Sequence, residues 1–105
     1  MYAVIFRAKI NKLDKNYQKT AEKMRKLAFE KYGCLNLSVV TEADEEIAVS
    51  YWDSLEDIHA WKRNTEHLKA QQQGKHQWYS HYQIDIVEVF KSYMMEDIVI
   101  DLDEL

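Results

Sequence analysis

Along residues 2–10 hydrophobic and polar positions alternate. Tyr2, Val4, Phe6, Ala8 and Ile10 fall on one side; Ala3 and Ile5, then Arg7 and Lys9, fall on the other. A period of two with apolar residues on both sides predicts a strand covered on both faces over its first half. A polar turn follows over 11–16, where Asp14 or Asn16 can cap a helix. Tyr17, Ala21, Met24, Leu27, Ala28 and Tyr32 then recur at helical spacing, with Lys19, Glu22, Lys23, Arg25 and Lys26 on the opposite face. Gly33 supplies the stop. Two further alternating runs, 35–41 (Leu35, Leu37, Val39) and 47–52 (Ile47, Val49, Tyr51), flank the acidic residues 42–46 and read as a hairpin with a solvated tip. Ser54 caps a second helix, with Glu56 and Asp57 in its positive first turn. Its stripe is Ile58, Trp61, Thr65, Leu68 and Gln72, with His67 on the flank, and it stops near Gly74. A last strand places Tyr82, Ile84 and Ile86 opposite Val87, Val89 and Tyr93.

The order β-α-β-β-α-β, with two right-handed crossovers, predicts an α+β, ferredoxin-like split β-α-β domain. It has a four-stranded antiparallel sheet with both helices on one face. Strands 1 and 4 nevertheless carry apolar residues on both faces, so the bare face needs a cover, and a second copy of the sheet supplies one. A face-to-face homodimer burying about 800 Å² per subunit is of ordinary stable size. Residues 1–93 form this domain. Residues 94–105, MMEDIVIDLDEL, are an acidic extension in which Ile98, Ile100 and Leu102 alternate, the pattern of an extra edge strand. Five of the 18 acidic residues lie there, leaving 13 against 14 basic ones elsewhere.

With 105 residues the chain is one domain, and 47% hydrophobic with 30% charged residues marks it as globular. A formal charge of −4 with no basic stripe argues against a nucleic-acid partner. No apolar run approaches membrane-span length, and the N-terminus lacks the features of a signal peptide. The one cysteine, Cys34, has no internal partner and no identifiable base beside it. A cytoplasmic protein is expected.

The run Tyr51-Trp52-Asp53-Ser54-Leu55-Glu56-Asp57, then Trp61, His67, Ala70, Gly74, Trp78-Tyr79, Tyr82, Val87 and Val89, resembles the antibiotic biosynthesis monooxygenase family. The likeness covers residues 2 to about 93. It implies a dimeric α+β barrel of ferredoxin-like subunits, each with a pocket between helices and sheet. Some members oxidise aromatic polyketides or quinols with O2 and without metal or flavin; others bind and degrade haem; many have no established activity. The haem-degrading branch pairs an Asn on the first strand with a Trp and a His of the second helix. Here Trp61 matches, but the first strand carries Arg7 and no Asn, and His67 lies closer to the Trp than in that branch.

Oxygenation without a cofactor asks for a water-excluding pocket, rings to stack on the substrate and a base near neutral pH. His67 is the candidate catalytic base; its bland alternative is a flank histidine bonded to a carbonyl or solvent. Trp61, Asn64, Trp78, Tyr79, Tyr82 and Arg7 are the candidate substrate-binding residues. Trp61 also suits a core role, and Arg7 also suits a pair with Glu88. The histidines lack tight ligand spacing, so no metal is expected, and no cofactor. The leading expectation is a cofactor-independent monooxygenase acting on a small aromatic or quinol. The alternative is a non-catalytic dimeric module that binds a small aromatic or haem, or serves a structural role.

Overall fold

The structure, a computed structural model, describes residues 1–72 and 78–95, and for residues 66–72 it describes the backbone alone. Its elements are β1 (Tyr2–Ile10), α1 (Lys15–Glu30), β2 (Asn36–Glu42), β3 (Glu45–Trp52), α2 (Leu55–Gln72) and β4 (Tyr79–Glu88). The sheet order is β2-β3-β1-β4 with every pairing antiparallel. This is the expected α+β architecture, with β3 and β1 inside: α1 carries the chain from β1 to the edge strand β2, the hairpin returns β3 beside β1, and α2 carries it over to β4 on the other edge.

The caps follow the side chains. Asp14 accepts the Tyr17 amide at 2.9 Å to start α1, so Asp14 rather than Asn16 caps it. Past α1, Gly33 sits at φ +75, a region closed to most L residues, and Cys34 N–H turns back onto the Ala28 carbonyl at 2.9 Å. Ser54 Oγ accepts the Asp57 amide at 3.1 Å, beginning α2. Gly74 and the expected end of this helix lie outside the described residues.

Register assigns the two faces. Val4 pairs with Ser50 and Ile86, and Phe6 with Ala48 and Ile84, all on the helix-covered side. Leu37 and Val39 extend that side through β2. Here Val4, Ala28, Cys34, Trp52 and Ile58 form the buried cluster, joined by Tyr2, Tyr32, Leu37, Trp61 and Ile84. Cys34 is buried within it, and burial pushes its thiol pKa up, which suits packing and not nucleophilic chemistry.

The β3 alternation Ile47, Val49, Tyr51 faces the other way. It joins Ala3 and Ile5 of β1, Val40 of β2 and Val87 of β4 on the side that no helix covers. Val40 is 65% exposed there, so the apolar second face anticipated from the alternation is present and bare in the single chain.

The hairpin corrects one expectation. β2 and β3 run further into the acidic stretch than its composition suggests, leaving only Ala43 and Asp44 as the turn. Ala43 adopts φ 54, and Asp44 is held by Lys9 Nζ at 3.3 Å and by the Ile10 amide at 2.6 Å. Glu46 is therefore no part of a solvated tip: it sits in β3, on the helix-covered side, and is 5% exposed. The expected edge strand over residues 98–102 lies outside the described residues. Among those described, no helix is long and apolar enough to cross a membrane.

Candidate functional site

Between the helix layer and the sheet opens a cleft of about 1290 Å³. The sheet floor gives it Val4, Phe6, Ala48, Tyr82, Ile84 and Ile86, and the helices give it Tyr17, Ala21, Met24, Ile58, Trp61 and Thr65. Small residues on the β3 floor create much of this space. Ala48 and Ser50 stand where larger side chains would fill the gap beneath α1 and α2. The volume exceeds that of most small-molecule pockets, and the lining is predominantly apolar with a few polar groups, the composition usual for such pockets.

Two clusters bound the cleft. In one, the Trp61 ring packs on Trp52 at 5.2 Å between centroids, and Trp61 Nε1 donates to the Met24 carbonyl at 3.0 Å, tying α2 to α1. In the other, Trp78 Nε1 donates to Asp14 Oδ1 at 3.2 Å, and its ring meets Tyr17 edge-on at 5.4 Å. Tyr79 meets Phe6 edge-on at 5.4 Å, and Tyr82 lies beside Phe6 at 5.7 Å.

Within the second cluster lies a polar knot. Tyr17 donates its hydroxyl to Glu46 Oε1. Tyr79 donates to Glu46 Oε2 at 2.7 Å, with the Tyr17 hydroxyl a longer second acceptor at 3.2 Å. No basic side chain among the described residues pairs with this buried carboxylate, so the two phenols carry its stabilisation. The phenols are held protonated in return. Burial first, then Glu46, pushes Tyr17 up to about 12, and burial first likewise pushes Tyr79 well above the usual phenol value.

The candidate residues separate on this geometry. Trp61, Trp78, Tyr79 and Tyr82 all line the cleft. Asn64 is engaged elsewhere, donating to the Tyr32 hydroxyl at 2.8 Å. Arg7 lies on the opposite face of the sheet, between Ile47 and Gln83, and so stands apart from the cleft residues. Nor does it meet Glu88, which pairs with Tyr2 five positions along β1. His67 belongs to α2, but its side chain lies outside the described residues. His59 and His81 are exposed, and His76 lies outside the described residues.

Two cleft residues escaped the sequence reading, Tyr17 and Glu46. Tyr17 was legible only as one member of a helical stripe. Glu46 had a signal, since it shares the period-two phase of Ala48, Ser50 and Trp52, but it also belongs to the acidic run that reads as a solvated tip. One further polar group is buried in the cleft wall: Thr65 Oγ1, on α2, has no hydrogen-bond partner.

A four-stranded antiparallel sheet under two helices, with an aromatic cleft between the layers, defines a ferredoxin-like α+β domain with room for a ligand between its layers. Comparison places it more closely: a family model, Monooxygenase af470-like, matches residues 3–103, and the chain belongs to that family. The match continues past Tyr93 into the acidic segment. Uncharacterized protein YqjZ of Bacillus subtilis is 38% identical over 97 residues, covering 91% of this chain and 85% of that one. Among solved structures, Rv0793 from Mycobacterium tuberculosis is similar with a TM-score of 0.70 at 12% identity, over 89% of this chain and 98% of that one. SnoaB, a cofactor-independent oxygenase from Streptomyces nogalater, is similar with a TM-score of 0.65 at 5% identity, over 87% and 94%. At those identities the two structures establish the fold alone.

Proposed function

We propose that the protein is a cofactor-independent monooxygenase that oxidises a small aromatic or quinol substrate with O2 in the cleft between helices and sheet. The observation that carries this reading is the cleft itself, a large apolar space walled by Phe6, Trp61, Trp78, Tyr79 and Tyr82 in a chain of a monooxygenase family. Such a wall stacks on a fused ring and excludes water from it. The bound substrate gives up a proton and supplies the electrons. In the anthrone case one ring carbon loses two hydrogens and gains one oxygen atom of O2, while the other oxygen leaves as water. His67 on α2 is the proposed proton acceptor. SnoaB, with the same fold, is named for chemistry of this kind.

The working unit is proposed to be a homodimer closed over the bare sheet face, because Ile5, Val40, Ile47, Val49 and Val87 leave an apolar surface for a second sheet to bury. O2 uptake by purified, metal-stripped protein with a panel of anthrones, naphthols and quinols tests the function, with autoxidation subtracted. Uptake above background that falls in His67→Ala is the expected result. Equal uptake in both proteins discards His67 as the base, and background uptake with every substrate removes the oxygenase reading for these classes.

A further inference from the structure

We propose that Glu46, held by Tyr17 and Tyr79, is the point at which the cleft takes a hydroxyl of its ligand. It thereby selects aromatics that present an uncharged hydroxyl at that end of the cleft over those that present a carboxylate there. This inference rests on the cleft being the substrate site, and it assigns that site an orientation and a substrate class.

Glu46 lies in the cleft wall and is 5% exposed, yet no Lys or Arg among the described residues pairs with it. A buried anion stabilised only by neutral donors is costly, and a fold seldom keeps one without a use for it. A carboxylate presents roughly four lone-pair directions, and the two phenols occupy two of them. A third donor can therefore be accepted, and a ligand hydroxyl in the cleft is placed to supply it. Both phenols already donate to its oxygens, which leaves Glu46 as an acceptor for one further donor. Its role is accordingly to hold and orient, and the hydroxyl it holds keeps its proton.

The remaining charge around the cleft completes the orientation. Arg25, Lys62 and Arg63 also line it, from the helix side. Arg25 follows Tyr17 by eight residues in α1, roughly 12 Å along the helix axis. A planar ring system is thus bound with its uncharged hydroxyl at Glu46 and its ionising end directed away, toward the cationic rim. A carboxylate brought to Glu46 meets a like charge held in a residue only 5% exposed, an arrangement that works against binding.

The test is calorimetric titration of the whole protein at pH 7 with 2-naphthol, which is uncharged there, and 2-naphthoate, which is not. The wild type is expected to bind the naphthol at least about 10-fold more tightly, equivalent to about 1.4 kcal/mol. Glu46→Gln removes the charge at constant shape and is expected to bring the two affinities within about threefold. Tyr79→Phe, which keeps the carboxylate, is expected to retain the preference. Equal affinities in the wild type, a preference unchanged in Glu46→Gln, or no binding of either probe each overturns the proposal. Because binding is read without turnover, naphthol binding with the expected preference but no O2 uptake leaves this assignment standing while the oxygenase reading falls.

Discussion

Replacing Tyr79 with phenylalanine removes one oxygen atom and keeps the ring that packs against Phe6. The loss falls on Glu46, whose Oε2 accepts from Tyr79 at 2.7 Å in a residue 5% exposed. A hydrogen bond to a charged group contributes about 1.5–3 kcal/mol, and a buried acceptor left without its donor forfeits most of that. Tyr17 continues to hold Oε1, so the expected cost of Tyr79→Phe is about 2 kcal/mol. That corresponds to a fall in Tm of roughly 8–16 °C for a domain of this size. Glu46→Gln should cost less, about 1 kcal/mol, because the amide oxygen still accepts and no charge remains to be stabilised. Once the charge is gone the Tyr79 hydroxyl matters less. The double variant should then be more stable than the sum of the singles implies, by about 1–2 kcal/mol. Urea denaturation of the four proteins at one fixed concentration measures the cycle, the fixed concentration holding constant any contribution from association. A Tyr79→Phe cost below about 0.5 kcal/mol, or a cycle that simply adds, would mean that water and not the tyrosines stabilises the carboxylate.

Tyr17 has its pKa raised from 10.0 to about 12, so it holds its proton more tightly in the folded state; its contribution is complete below pH 10 and is lost as pH rises through about 12. Phenolate absorbance should show Tyr17 and Tyr79 ionising after the exposed tyrosines, and a titration in which all seven ionise together contradicts this. Ala43→Gly relieves a side chain at φ 54 and should stabilise the hairpin by about 1 kcal/mol, which thermal denaturation reads directly. Thr65→Val removes a buried hydroxyl without a partner and should stabilise the unliganded protein by about 1 kcal/mol, an unchanged or lower stability counting against the orphaned hydroxyl. Ile47→Asp places a charge on the bare sheet face and should give a folded monomer by sedimentation with its circular dichroism retained; a persistent dimer moves the interface elsewhere.

Most of the architecture was legible because period and punctuation agree. Ser54 and Gly33 act where their side-chain chemistry requires, and the changes of period separate strand from helix. The cleft's aromatic residues were legible too, since Trp61 sits on an unbroken stripe and Trp78, Tyr79 and Tyr82 crowd one stretch. What period cannot supply is phase. In β3 the apolar set Ile47, Val49, Tyr51 and the mixed set Glu46, Ala48, Ser50, Trp52 are one residue apart, and hydrophobicity favours the first as the core side. The chain uses the second, because the first faces the uncovered side of the sheet and because small residues must line the inner floor if a cleft is to exist. Arg7 was misplaced by the same ambiguity on β1, and Asn64 because helical spacing gives direction but not the partner waiting at the end of α1.

The helix layer meets the sheet through two separate fastenings. Trp52, Ile58, Ala28 and Cys34 make one of hydrocarbon, and Asp14, Tyr17, Trp78, Tyr79 and Glu46 make the other of hydrogen bonds and ring edges. A layer pinned twice bows; it does not swing. Between the pins α1 is tied to α2 through Trp61 Nε1 on the Met24 carbonyl, so the helices are held to each other as well as to the sheet. The two anchors also answer to different solvents: urea loosens both, whereas alkali releases only the phenolic one, so high pH should free one end of the layer while the indole end stays shut.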